Sequence, residues 1–113
     1  MAEKLEEKIV DEEIEDGGVY IHKLKKPFTW EGTTYEELTF DFDSLTGKDM
    51  ELVELEMSRE HFIAYAPDSS STYMFRLAAR AAKVHYSVIE NLPLVEANTI
   101  RLKMKYFFLK LGF

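Results

Sequence analysis

The segment VYIHKLKKPFTWEGTTYEELTFDFD, residues 19–43, decides the fold. Apolar side chains recur there at every second position. Val19 and Ile21 lead to Phe28 and Trp30 across an interruption at Pro27, and Leu38, Phe40 and Phe42 then alternate with Thr39, Asp41 and Asp43. A two-residue period sends successive side chains to opposite faces, so each run predicts a strand with one buried face. Glu31-Gly32 between the runs supplies the turn of a hairpin. Pro27 has no amide proton to give to a ladder, which puts it on an edge strand or at a break. A lone hairpin is marginal in water, so the face carrying Trp30, Phe40 and Phe42 needs a helical layer to cover it.

The residues that follow supply that layer. Thr46 is a capping residue with Asp49 three positions on, near the positive end of the helix dipole, and the spacing of Met50, Val53 and Met57 predicts a helix over 47–61. Around that stripe lie Glu51, Glu54, Glu56 and Glu60. Ala66-Pro67-Asp68 and three serines make a turn, and Asp68 or a serine caps a second helix over 70–84. There Tyr73, Leu77, Ala81 and Val84 share one face, and Arg76, Arg80 and Lys83 another. Ser87 to Leu92 reads as a short helical turn, and Pro93 suits the first position of a last helix reaching Leu111. The expected class is α+β, an N-terminal β-hairpin packed on three or four helices.

Charge divides the chain more sharply than hydropathy does. Residues 1–16 carry eight carboxylates against two lysines, a net −6 out of −7 for all 113 residues. Such a run buries too little apolar surface to offset its ordering entropy. It is expected to be a disordered acidic tail over 1–18, dispensable for folding, ahead of a single domain over 19–113. A nearly neutral domain does not suit a carboxylate-covered mimic of DNA, and it lacks the basic footprint that nucleic-acid binding needs. With no cysteine, disulfides, thiolate nucleophiles and Cys-ligated zinc are excluded. No apolar run reaches the ~18 residues of a membrane span, and the N-terminus does not resemble a signal peptide, so the expectation is a soluble intracellular protein.

Nothing in the sequence sets up catalysis. His22, His61 and His85 never fall at the i, i+4 spacing that places two ligands on one helical face. Asp41 and Asp43 point the same way from a strand, but they are its outward half and have no third ligand. Glu36 and Glu37 face opposite sides and cannot flank one bond as acid and base. No cofactor, metal or enzymatic activity is expected.

The last helix is more informative. At 100° per residue, Ala97, Ile100, Met104, Phe107, Phe108 and Leu111 form one stripe, and Val95, Leu102, Tyr106 and Leu109 form a second nearly opposite. Arg101 and Lys105 lie on one flank, Lys103 and Lys110 on the other. The first stripe covers the hairpin. The second is either core as well or an interface, bordered by Arg101 and Lys105, for self-association or a partner helix.

The order Ile21 to Phe40, with its Pro27-Phe-Thr-Trp-Glu-Gly-Thr-Thr-Tyr-Glu-Glu-Leu38 core, then Leu45-Thr-Gly-Lys-Asp49, resembles the tail assembly chaperones of long-tailed bacteriophages. Sequences of that family commonly read Pro-aromatic-x-aromatic-Glu-Gly-x-x-Tyr-x-x-Leu, then Leu-Thr-Gly-x-Asp. The alanine-rich helix at Leu77 to Ala82, Asn91-Leu92-Pro93 and Tyr106-Phe107-Phe108 are similar too, so the likeness runs over about residues 19–110. The acidic extension and the loop from Tyr65 to Thr72 depart from it. The resemblance implies a non-enzymatic protein of the host bacterial cytoplasm, absent from the mature virion. Its partners would be the tape measure protein, which it keeps soluble, the tail tube protein, which it helps recruit, and further copies of itself, with no nucleic acid or membrane. A longer frameshifted product is frequent in the family, and this chain would be the short form. The rival from another class is a small acidic phage or host regulatory protein whose tail and Glu-rich helix engage a basic surface of a host factor.

Overall fold

A computed structural model describes residues 18–61 and 70–110. Strands β1 (Val19–Trp30) and β2 (Thr33–Asp41) form an antiparallel hairpin, followed by a 3-10 turn (Phe42–Ser44). Four helices complete the α+β fold: α1 (Gly47–Arg59), α2 (Ser71–Ala82), α3 (Tyr86–Glu90) and α4 (Leu94–Lys110). The tail over 1–16, Asp68 and Leu111, for which the sequence carried expectations, lie outside the described residues.

The hairpin turns on Glu31 and Gly32, both at positive φ (48° and 82°), the backbone twist that a two-residue connection between right-twisted strands favours. Tyr20 pairs with Phe40 and His22 with Leu38, and all four are buried. Val19 and Ile21, whose apolar character suggested the covered face, point outward opposite Asp41 and Thr39. The register of β1 is fixed by β2: once Leu38 and Phe40 face the core, their partners must too. Between Lys23 and Phe28 the pairing slips, with four residues including Pro27 set against Glu36 alone, so the proline costs no ladder bond where the ladder is already interrupted. Phe40 is fully buried, as is Phe42 in the 3-10 turn beyond the strand, whereas Trp30 is half-buried and its indole N–H donates to Ser87 Oγ (3.1 Å), tying the hairpin tip to α3.

The central element is α2, which touches β2, the 3-10 turn, α1, α3 and α4. Tyr73, Met74, Leu77, Ala78, Ala79 and Ala81 are buried on it, the alanines letting neighbours approach closely. Its Arg76, Arg80 and Lys83 do not share a wet face. Arg76 is only 6% exposed, donates both terminal nitrogens to Glu60 and stacks on the Tyr86 ring at 4.0 Å, while Arg80 Nε donates to Asp49 Oδ1 at 2.6 Å. Burying one arginine is tolerable because its charge faces Glu60 and Glu56 from α1 and its end.

These pairs make the fold acid-sensitive. The hydrogen bond from Arg80, then that from the Thr46 amide (2.8 Å), holds the Asp49 carboxyl below its ordinary value. Arg76 does the same for Glu60. Depressed folded-state values mean stability that is fully present above the ordinary carboxylate range, about pH 4, and is lost as the pH falls through the folded values. Melting temperature should fall below that pH, and more gently in Asp49→Asn. An unchanged slope in that variant would show that Asp49 is not a source of the acid sensitivity.

The end of α2 offers a second check. Lys83 sits at φ 57°, Val84 N–H reaches back to Ala79 C=O and Lys83 N–H to Arg80 C=O, the paired bonds of a helix stop that usually carries glycine. A left-handed conformation costs an L residue about 1–2 kcal/mol, and glycine's extra unfolded freedom returns about 0.5–1, so Lys83→Gly is expected to stabilise by roughly 0.5–1 kcal/mol. Urea unfolding measures it, and a lower midpoint would mean that the lysine side chain contributes more than its backbone costs.

Candidate functional site

Helix α4 presents two unlike sides. Pro93 C=O accepts the Ala97 N–H (3.0 Å), so the proline precedes the first helical residue, Leu94. Inward, Ala97, Ile100, Met104, Phe107 and Phe108 are buried, and Phe107 meets Phe42 at 5.2 Å between ring centroids, extending a stack that runs from Tyr20 through Phe40. Outward, Val95 is 61% and Leu109 54% exposed, with Leu102 and Tyr106 half-buried between them and the Tyr106 ring also packing against the core. Leu94, at the helix start, is 84% exposed. Arg101 and Lys105 border this face half-buried, and Arg101 donates to Asn98 Oδ1 at 2.9 Å. The second apolar stripe is therefore neither all core nor all surface: its ends stand in water and its middle is anchored.

The other flank departs from the sequence expectation. Lys103 is fully buried, its ammonium 5.1 Å from the centre of the Tyr20 ring, where the negative face of the ring favours a cation. On the same side of α4, two turns earlier, Glu96 is buried as well. Its Oε1 lies 3.0 Å from His22 Nε2, and its Oε2 accepts the Lys25 amide at 2.9 Å. The Tyr20 hydroxyl is 2.6 Å from His22 Nδ1. All these groups are satisfied when Nε2 carries the imidazole proton toward Glu96 and Nδ1 accepts from Tyr20. Sequence reasoning missed this network, although the signal was present: Tyr20 and His22 share a strand face, and Glu96 and Lys103 share a helix face. The network closes the edge of β1 onto α4 and fixes which way α4 turns its outer stripe.

Asp41 ends β2, half-buried, and Asp43 stands exposed in the 3-10 turn, so the alternation that would align their carboxylates stops before Asp43. Among the described residues no three His, Asp or Glu side chains group to hold a metal ion, and no helix is long and apolar enough to cross a membrane. An open recess of about 270 Å³ beside Phe42, Met50, Leu77 and Phe108 is apolar, rimmed by Asp43 and Thr46. What the arrangement can do chemically is bind: an apolar line about 21 Å long at 1.5 Å per residue, flanked by cations, on a helix held in one rotation. No family model matches the chain, and neither a curated protein nor a solved structure matches it.

Proposed function

We propose that this protein is a non-enzymatic tail assembly chaperone of a long-tailed bacteriophage, acting in the host cytoplasm to hold the tape measure protein soluble and to help recruit tail tube subunits. The observation that carries the proposal is the ordered likeness across residues 19–110. The outer face of α4 supports it, because Val95, Leu102, Tyr106 and Leu109 make the kind of exposed line on which an amphipathic helix docks. Arg101 and Lys105 would set the orientation of that helix. Full burial of Val95 and Leu109 would contribute ~1.5–3 kcal/mol each before association costs. The rival, in which the acidic tail and the Glu-rich α1 engage a basic host surface, draws less support from α1, since Asp49, Glu56 and Glu60 already face Arg76 and Arg80.

The test is Val95→Glu combined with Leu109→Glu, the two positions where charge does least harm to the core. The expected result is an unchanged melting temperature with loss of co-purification with the tape measure protein and loss of self-association in light scattering. A variant that keeps its mass and its partner overturns the outer face as the binding site. The gene neighbourhood tests the family itself: a tube protein gene upstream and a very long, helix-rich coding region downstream are expected, and their absence would favour the regulatory protein.

A further inference from the structure

We propose that α1 is a latch: it undocks from α2 as a unit while the hairpin, α2 and α4 stay folded, and so uncovers apolar surface that the closed domain hides. The inference is separate from the outer face of α4 and stands or falls without it. The first observation is how little holds α1. Of its thirteen residues only Val53 and Met57 are buried, against seven of twelve on α2. Among the described elements its substantial packing is with α2 alone, whereas the stack from Tyr20 to Phe107 and the bonds of Glu96 join the hairpin to α4 without it. A segment with few buried apolar contacts, on one neighbour only, opens below the free energy of global unfolding.

The second is what the interface is made of. Besides Val53 and Met57, α1 is held by charges. Asp49 accepts from Arg80 at 2.6 Å, Glu56 lies 3.8 Å from Arg76, and Glu60, just past the helix end, takes both terminal nitrogens of Arg76. The Glu56 and Glu60 side chains stand half in water, which can replace their partner as the helix lifts. On the α2 side two buried polar atoms, the Tyr73 hydroxyl and Arg76 Nε, have no hydrogen-bond partner among the described residues. Burial first, and then the negative charge of Glu54 on α1, pushes the Tyr73 hydroxyl above its ordinary value, so the orphaned group is one that α1 covers. Closing α1 over these atoms costs their hydration, and opening returns it.

The third lies at the ends of the helix. Packing under the first turn is open: the recess of about 270 Å³ is lined by Gly47 and Met50 of α1 together with Phe42, Leu77 and Phe108. At the other end His61 leaves the helix at φ 61°, a left-handed conformation that an L residue gives up readily. The Thr46 amide donates to Asp49, a bond internal to the helix start, so α1 can lift with its cap intact. What it uncovers adjoins the recess, with Leu77, Phe42 and Phe108 at its edge.

Native-state hydrogen exchange on the full chain, followed by NMR in urea well below the midpoint, tests the latch. The amides of Val53 to Met57 should share one opening, with protection at least ~10-fold below that of Ile100 and Met104 in α4 and a smaller dependence on urea. Tyr73→Phe removes the orphaned hydroxyl and should raise the protection of the α1 amides about fivefold or more. Equal protection and equal urea dependence in α1 and α4 would mean that α1 leaves only with the whole domain, which overturns the proposal. So do protections that fall smoothly toward either end of α1, which is fraying, and a Tyr73→Phe variant whose α1 protection stays the same or drops. No partner enters the readout, so loss of the tape measure reading would leave this one standing.

Discussion

Phe40→Ala is expected to destabilise the domain by about 3–5 kcal/mol, a large part of the ~5–15 kcal/mol available to a domain of this kind. Phe40 is fully buried between Tyr20 and Phe42, with ring centroids at 6.0 and 5.8 Å, and Phe42 passes the stack on to Phe107 of α4. Removing it leaves a cavity where the sheet meets the helices, bounded by rings that cannot collapse without moving two elements. Urea unfolding reads the effect. A midpoint within experimental error of the parent would mean that β2 is out of register by one residue, which would put Asp41 in the place of Phe40. Thr39→Ala, on the wet face of the same strand, is the control and should stay within about 0.5 kcal/mol.

Glu96→Ala should cost about 1–3 kcal/mol by a different route, the loss of a buried acceptor. The glutamate is 7% exposed and is the shared acceptor of His22 Nε2 and the Lys25 amide, so truncation leaves the buried His22 N–H without its acceptor and frees the Lys25 amide on an exposed residue. The Tyr20 to His22 bond depends on the same proton arrangement and weakens with it. Glu96→Gln keeps one acceptor oxygen and should recover a substantial part of the loss. If alanine and glutamine variants both unfold at the parental midpoint, the network contributes nothing to stability and its role in fixing α4 fails with it.

Period and punctuation made the hairpin, its Glu31-Gly32 turn, the Thr46 start and the inner stripe of α4 legible in the sequence, and narrowed the cap of the second helix to Asp68 or a serine, which the structure assigns to Ser70. These depend on local signals: two-residue alternation, capping residues and a wheel with an apolar side. What escaped depends on partners distant in sequence. Nothing near Val19 and Ile21 says that Tyr20 and His22 will be inside instead; that choice is made by pairing with Leu38 and Phe40 and by Glu96, 74 residues beyond His22. Arg76 and Lys103 read as surface cations because a charge is normally solvated, and each is buried beside a group that favours a cation, the Glu60 carboxylate for Arg76 and the Tyr20 ring for Lys103. The candidate surface was half legible. The wheel identified Val95, Leu102, Tyr106 and Leu109 as a set, but how far each stands in water depends on the tilt of α4, which the Glu96 bonds decide.

That 74-residue interval between His22 and Glu96 also has a consequence in time. A ribosome adding about 5–20 residues per second needs roughly 4–15 s to pass from one to the other. From Phe42 onward in that interval the hairpin is fully synthesised, with Phe40 and Phe42 in place, while the helix that locks it is still untranslated. The nascent chain is therefore at its stickiest before α4 arrives, and the translation of α4 is what ends the exposure.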